Sequence, residues 1–374
     1  MPTDGRNRQY HKVLLTLTAL ICAVSMLAGC GKMKVSYPEG TETYEYTDDY
    51  GRIVELKKDI TRIVPSGPNT QMILVTLAPE MLVGVSEAPS SAVRKYYPEN
   101  YIDLPTLGQF YGKKMSINLE NLIGTDAEII IDAGDEQADG YADMDKIQNE
   151  SGIAAIYVEA TLENYPEAYR KLGKILGKEK EADELAAYCE ETSRRAEKIK
   201  ESLSEDERKS VYFGVNSTGL NSNAGGSVQA AVIEFIGARN AIEIDDGDVS
   251  GRDGGNPVGM EVVYKSDPDI VIVADGGPYD EMSDQGSQWS ELDAVREGRY
   301  YEIPTKPVSW MSAPPCVNQV LGARWLMSLV YPDLYEGDIR EDVKEYYRLF
   351  WHYDLTDKEI DEFLANSTEK AGRK

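Results

Sequence analysis

The chain has 374 residues, 41% of them hydrophobic, enough for two or three domains with sizeable cores. A formal net charge of −26 repels nucleic acid and anionic lipid headgroups, which excludes a nucleic-acid partner and electrostatic adhesion to a membrane. Only two histidines occur, too few to favour a Ser-His-Asp triad or a catalytic zinc site.

At the start, Arg6, Arg8 and Lys12 flank VLLTLTALICAVSM, a 14-residue apolar run too short for a comfortable membrane span, which reads as an export signal. The run ends in Leu27-Ala28-Gly29-Cys30. This resembles the lipobox of bacterial lipoproteins, in which the cysteine thiol takes a lipid and becomes the first mature residue. Residues 1–29 are expected to be a signal peptide, and residues 30–41 a lipidated cysteine followed by a polar, aperiodic spacer. Cys22 leaves with the signal. Cys189 and Cys316 have neither paired nor metal-type spacing, so no structural disulfide is expected, with a Cys189–Cys316 bond left open.

The folded body begins at about residue 42. YEYTDDYGRIVEL alternates around Asp48-Asp49-Tyr50-Gly51, a hairpin signature. RIVPSGPNTQMILVTLAPEMLVGVSE reads as strand (62–64), loop (65–68), helix (69–77) and strand (82–85), a βαβ unit. Further strands are expected at 128–131 and within SGIAAIYVEAT, completing a lobe over 42–160. Residues 161–203 are a helical connector. From Lys178 onward neither proline nor glycine interrupts it, and Ala182, Leu185, Ala186, Cys189, Ala196 and Ile199 keep one face apolar. Roughly 26 helical residues reach about 39 Å, the width of a small domain. Beyond it, a strand at 211–215, a helix in VQAAVIEFIGARNAI, a helix and strand in VVYKSDPDIVIVADGG, a strand in REGRYYEIP and a helix in NQVLGARWLMSLVYPD make a second lobe over 204–374. Its tail carries a capping box, Thr356 with Glu359. TDAEIIIDAG and SDPDIVIVADGG share one pattern, an acidic turn feeding an apolar strand that ends at Asp and Gly. The fold class is α/β, two α/β lobes joined by a single long α-helix, with a ligand cleft between the lobes where the strands end.

The residues favour binding over catalysis. After export one histidine remains, His352, inside the aromatic tail YYRLFWHYDL, and no phosphate-cradling loop is present. Two calcium-like loops, beginning at Asp135 and Asp246, carry Lys146 and Pro257 where the twelfth position needs glutamate. No catalytic residue and no metal site is expected. What remains is a set of aromatic and amide residues in loops: Asn69, Gln109, Phe110, Tyr111, Asn216, Asn223, Trp289, Trp310 and Met311. Flat amphipathic side chains cover apolar ligand surface while amides fix its orientation.

Residues 42–335 resemble the substrate-binding proteins of ABC importers for iron complexes and cobalamin. Three stretches carry the resemblance: RIVPSGPNTQMILVTLAPEMLVGVSE, LGQFYGKKMSINLENLIGTDAEIIIDAG, and GMEVVYKSDPDIVIV with PVSWMSAPPCVNQVLGARWLMSLVYPD. It implies a monomeric, non-enzymatic, lipid-anchored receptor on the outer face of the cell membrane. The receptor hands a metal chelate to a permease dimer with its ATPase subunits, and carries no cofactor besides that ligand. One glutamate per lobe would dock onto permease arginines, here Glu120 of INLENL and Glu261 of GMEVVY, each in a helix's first turn. Ligand-binding positions fall on Ser66, Asn69, Gln109, Phe110, Tyr111, Trp310 and Met311, and we add Asn216 and Arg252 from the loops of the second lobe. A ferric siderophore is the expected ligand, its oxygen surface suited to Lys113, Lys114 and Arg252. Cobalamin, haem through a tyrosine such as Tyr111, and an oxyanion such as molybdate are the alternatives. From other classes, an exported lipoprotein hydrolase would show a nucleophile and base in its pocket, and a structural surface protein would show no cleft.

Overall fold

The computed structural model describes residues 35–110, 115–243, 254–312 and 314–368. The hairpin forms as expected: β1 (Thr43–Thr47) pairs antiparallel with β2 (Ile53–Lys57). Asp48 closes the turn by accepting from the amides of Tyr50 and Arg52 at 3.1 and 2.9 Å, and Gly51 supplies a φ of 77°. Val54 and Leu56 face inward while Ile53 and Glu55 face out, the period of two that a half-buried strand requires.

In the first lobe, β3 (Ile63–Pro65), β4 (Ile129–Gly134) and β5 (Ala154–Glu159) form a parallel sheet in that order. Their continuous apolar runs are buried on both faces. The helices are α1 (Pro68–Leu77), which starts on proline, α2 (Glu99–Ile102), α3 (Leu119–Gly124) and α4 (Gly140–Ser151). The strand expected at 82–85 is reduced to two isolated bridges, Ile63 with Leu82 and Val85 with Thr106, because the segment crosses from β3 to residue 106 instead of running beside either.

The connector is a helical hairpin. α5 (Tyr165–Leu176) ends at Gly177, whose left-handed φ of 65° turns the chain into α6 (Glu179–Ser202). The two helices approach so closely that a Cβ on Gly173 would lie 2.5 Å from that of Ala182, and Arg170 pairs with Glu190 at 2.5 Å and Asp183 at 3.1 Å. With 24 residues, α6 spans about 36 Å, and its second half reaches the other lobe.

The second lobe carries β6 (Ser210–Val215), β7 (Asn221–Ser222), α7 (Ala231–Phe235), β8 (Arg239–Asn240), β9 (Asn256–Pro257), α8 (Met260–Ser266), β10 (Ile270–Val273), α9 (Asp293–Arg296) and β11 (Tyr300–Glu302). Its sheet order is β11-β10-β6-β7-β9, with β8 beside β6. β10 runs parallel to both β6 and β11, and β7 antiparallel to β6. The helix expected across VQAAVIEFIGARNAI is shorter, a tight turn at Val228–Ala230 followed by α7, because residues 239 and 240 leave it to pair with β6.

The shared turn pattern is a structural repeat. α3 ends in Asp126 and α8 in Asp267, both with left-handed φ, 52° and 41°. Two residues later Glu128 accepts from the amides of Thr61 and Arg62 at 2.7 and 3.1 Å, and Asp269 accepts from the amide of Ser210 at 2.8 Å. Each acid thereby fixes the amino end of a neighbouring strand, and each also pairs with a lysine, Lys57 at 2.5 Å or Lys209 at 3.2 Å.

Three last helices, α10 (Asn318–Val330), α11 (Ile339–Phe350) and α12 (Asp357–Leu364), tie the lobes together. The capping box of Thr356 and Glu359 is present in both directions. Tyr347 and Phe363 pack on Tyr96, Trp351 on Tyr97, and Lys95 pairs with Glu359 at 2.6 Å, all across to the first lobe. On the other side Trp325 donates to Ser367 O at 2.7 Å, and Glu302 of β11 donates its amide to Asn366 O at 2.9 Å. One buried apolar cluster accordingly runs through both lobes, from Val54 to Leu364. Among the described residues no helix is long and apolar enough to cross a membrane.

Candidate functional site

In open parallel sheets the loops at the carboxyl ends of the strands are the natural ligand face. In the first lobe these are Ser66–Asn69 after β3, residues 134–139 after β4 and 159–164 after β5. In the second they are Asn216–Gly219 after β6, 274–280 after β10 and 303–312 after β11. Tyr165, the first residue of α5, is buried directly after the last of the first-lobe loops. Burial foremost, then the neighbouring charges of Cys316 and Asp135, hold its hydroxyl proton far more tightly than usual.

Ser66 is buried at the start of the loop after β3. Its hydroxyl donates to the buried Asp132 at 2.5 Å, its amide to Ile131 O at 2.9 Å, and its carbonyl accepts from Phe110 N at 2.9 Å. The same Asp132 is the aspartate of the strand-ending IIIDAG pattern, so its carboxylate ties the loop after β3 to β4, while the Phe110 amide joins that loop to the segment at residue 110. Asn69, in the first turn of α1, is half-buried, as is Gln109, which exchanges hydrogen bonds with Ser116 (Gln109 N to Ser116 Oγ at 3.2 Å, Ser116 N to Gln109 O at 2.9 Å). Asn216 is exposed at the end of β6, with φ of 66°, its side-chain oxygen accepting from the amide and hydroxyl of Thr218 at 3.0 and 2.9 Å.

The remaining expected residues separate into two groups. Phe110, Trp310 and Met311 are buried, at 4%, 2% and 0% exposure, so they line the core under the loops and not their outer surface. Met311 O and Val228 O both accept from Gln319 Nε2 at 2.8 Å, and Asn318 Nδ2 holds Ser309 O, which clamps the loop on the start of α10. Asn223 is buried too, with Oδ1 unpartnered among the described residues, and Trp289 packs on Tyr212. Tyr111, Lys113, Lys114, Arg252 and Cys30 lie outside the described residues.

Several acids stand at these strand ends. Burial above all, then Glu163 and Glu159, raise the carboxyl of Asp135 above the usual range. Burial likewise raises Glu302, with Asp275 and Asp280 adding to it. Asp135 follows β4, Asp275 and Asp280 follow β10, and Glu302 ends β11, and these positions were the available signal. His352 lies elsewhere, its Nε2 3.2 Å from Thr76 O at the tail contact. Cys189 and Cys316 are both buried and free, and burial pushes the Cys316 thiol up to about 12. Among the described residues no group of three His, Cys, Asp or Glu is arranged to hold a metal ion. A shallow groove of about 520 Å³ lies along α6, lined mainly by charged side chains such as Glu190 and Arg194, and another of about 490 Å³ lies along α11, lined by Asp342 and Glu345 with Arg195 of α6. The first touches the edge loops only at Glu163, so the ligand face is assigned from the strand ends.

Glu120 and Glu261 are exposed in the first turns of α3 and α8. Each helix returns the chain to the amino end of a parallel strand, so its own amino end, with the glutamate, lies toward the carboxyl edge of the sheet.

Two lobes on a helical connector, with opposed strand-end loops, define an extracytoplasmic substrate-binding protein of an ABC importer, a non-enzymatic carrier. The chain belongs to the periplasmic binding protein family, whose profile matches residues 66–307. It is similar to an ABC transporter solute-binding protein from Sulfurospirillum deleyianum, with 26% identity over 86% of this chain and 99% of that one, at a TM-score of 0.77. A periplasmic solute-binding protein from Veillonella parvula matches with 26% identity over 87% and 98%, at a TM-score of 0.70. The molybdate-bound MolA of Haemophilus influenzae shares the fold at 18% identity over 84% and 99%, with a TM-score of 0.63. Compared with curated protein sequences, the chain matches none.

Proposed function

We propose that the protein is the lipid-anchored receptor of an importer for an iron complex, a ferric siderophore in the first instance. It captures the complex with Asn69 and Gln109 of one lobe and Asn216 of the other, with Tyr111 and Arg252 as further contacts, while the buried Ser66, Phe110, Trp310 and Met311 shape the loops from beneath. The observation that carries this reading is the chemistry of the strand-end face. Its exposed and half-buried amides, Asn69, Gln109 and Asn216, suit the polar oxygens of a chelate, while the one histidine left after export, His352, is committed to the tail. A metal already enclosed by its chelator needs hydrogen bonds and not protein ligands.

The test is a titration of the mature protein, followed by tryptophan fluorescence, against ferric hydroxamate and catecholate siderophores, haem, cobalamin and molybdate. A saturable response to a ferric siderophore with none to molybdate supports the reading. Tight molybdate binding moves the protein to the oxyanion chemistry of MolA. The anchor is tested separately: Cys30→Ser should release the protein from the membrane fraction, and retention there would show that the LAGC site is not the attachment point. Glu120 and Glu261 are assigned to docking on the permease, each offering a carboxylate to an arginine.

A further inference from the structure

α3 and α8 match each other position by position. Leu119 and Met260 turn inward, Glu120 and Glu261 outward, and Leu122 and Val263 are fully buried at 0%. Ile123 and Tyr264 then stand out at 54% and 39% exposure. Each helix then reaches its left-handed aspartate six residues after the glutamate, at Asp126 or Asp267. A single exposed apolar side chain needs no explanation. Two at the same position of repeated helices, in different lobes, do.

Residues three apart on a helix are neighbours on its surface, so each lobe presents a carboxylate and an apolar side chain side by side. In α8 the patch is enlarged by Val262, 45% exposed, and the ring of Tyr264 is held in place by its hydroxyl, which donates to Gln288 O at 2.7 Å. Carboxylates steer and orient an encounter with a basic surface, while a buried apolar centre supplies most of the holding energy. The importer to which this protein belongs offers such a partner. A two-fold permease presents the same surface twice, and a single receptor chain can meet it only with one like patch on each lobe.

We propose that Ile123 and Tyr264 are the apolar halves of two matched docking patches, each seated beside its glutamate on the outer surface of one permease subunit. The proposal rests on the docking reading of Glu120 and Glu261. The expected permease site is an arginine or lysine next to an apolar side chain.

The test measures binding of the mature receptor to the complete importer in lipid nanodiscs at low and high salt, with melting temperature and ligand affinity as controls. Ile123→Ser with Tyr264→Ser should weaken importer binding at least tenfold at either salt concentration, leaving ligand affinity and melting temperature at parental values. Ile123→Leu with Tyr264→Phe keeps the apolar surface and should bind as the parent does. Glu120→Ala with Glu261→Ala should weaken binding chiefly at low salt. If the serine pair binds normally while the alanine pair does not, the apolar patches are wrong and charge docking stands. If neither pair changes importer binding, the docking reading falls and takes this inference with it.

Discussion

Asp342 is where three helices are joined by charge. It lies on α11, receives Arg324 of α10 and Tyr335, and pairs with Arg195 of α6 at 3.0 Å. Arg324, only 1% exposed, also donates to Thr192 Oγ1 at 2.7 Å and Tyr188 O at 3.0 Å, with its guanidinium 3.5 Å above the Tyr188 ring. Removing one partner leaves a charge buried without compensation, so Asp342→Asn should cost about 3–5 kcal/mol in denaturant unfolding. Replacing Arg324 and Asp342 together by Met and Leu should recover most of that loss, since Arg195, the other partner of Asp342, keeps its pair with Glu191 at 2.9 Å. An equal loss in both variants would mean that the site matters for its shape and not for its charge. None of this network could be read in the sequence. Arg324 sits in the middle of an apolar helical run, and its partners lie 18 residues or more away.

Among the elements, those with a strong period were legible: the hairpin, the buried strands, α6 and the capped α12. The two-residue strands β7, β8 and β9 are too short to show any period, and only their pairing with β6 or with each other defines them. α11 was missed for a different reason. Its Tyr346, Tyr347 and Phe350 read as an aromatic tail, and become an ordered face only because Tyr96, Tyr169 and Tyr188 wait on other elements. The strand-end loops were legible as loops, but not which of their aromatics turn inward, since that depends on long-range packing on α10. The tail contact also sets a pH response. Burial would raise the carboxyl of Glu359, but Lys95, the Thr356 amide and hydroxyl and the Tyr353 hydroxyl outweigh it and hold the group at about 2, below its usual 4.5. A depressed folded-state value means that this stabilisation is complete above pH 4.5 and is lost as pH falls toward 2. The difference in melting temperature between the parent and Glu359→Gln should therefore shrink over that window. A difference that stays constant from pH 5 to 2 would contradict the assignment.

At the scale of the molecule, the lobes are held by two independent links, α6 on one side and the α11–α12 tail on another. A continuous helix resists bending, and the tail adds aromatic packing and the Lys95–Glu359 pair, so the cleft is expected to be largely preformed. Small-angle scattering of free and ligand-saturated protein should give radii of gyration that agree within error, and a clear contraction on binding would contradict a rigid frame. The central claim is that the strand-end loops of both lobes hold the ligand. It is tested most directly by titrating a ferric siderophore into the parent and into a variant with Asn69 and Gln109 replaced by alanine and Asn216 by glycine, which accepts the φ of 66° there. The account predicts one saturable site in the parent and at least tenfold weaker binding in the variant at an unchanged melting temperature. Equal affinity in the two proteins would place the ligand elsewhere and overturn it.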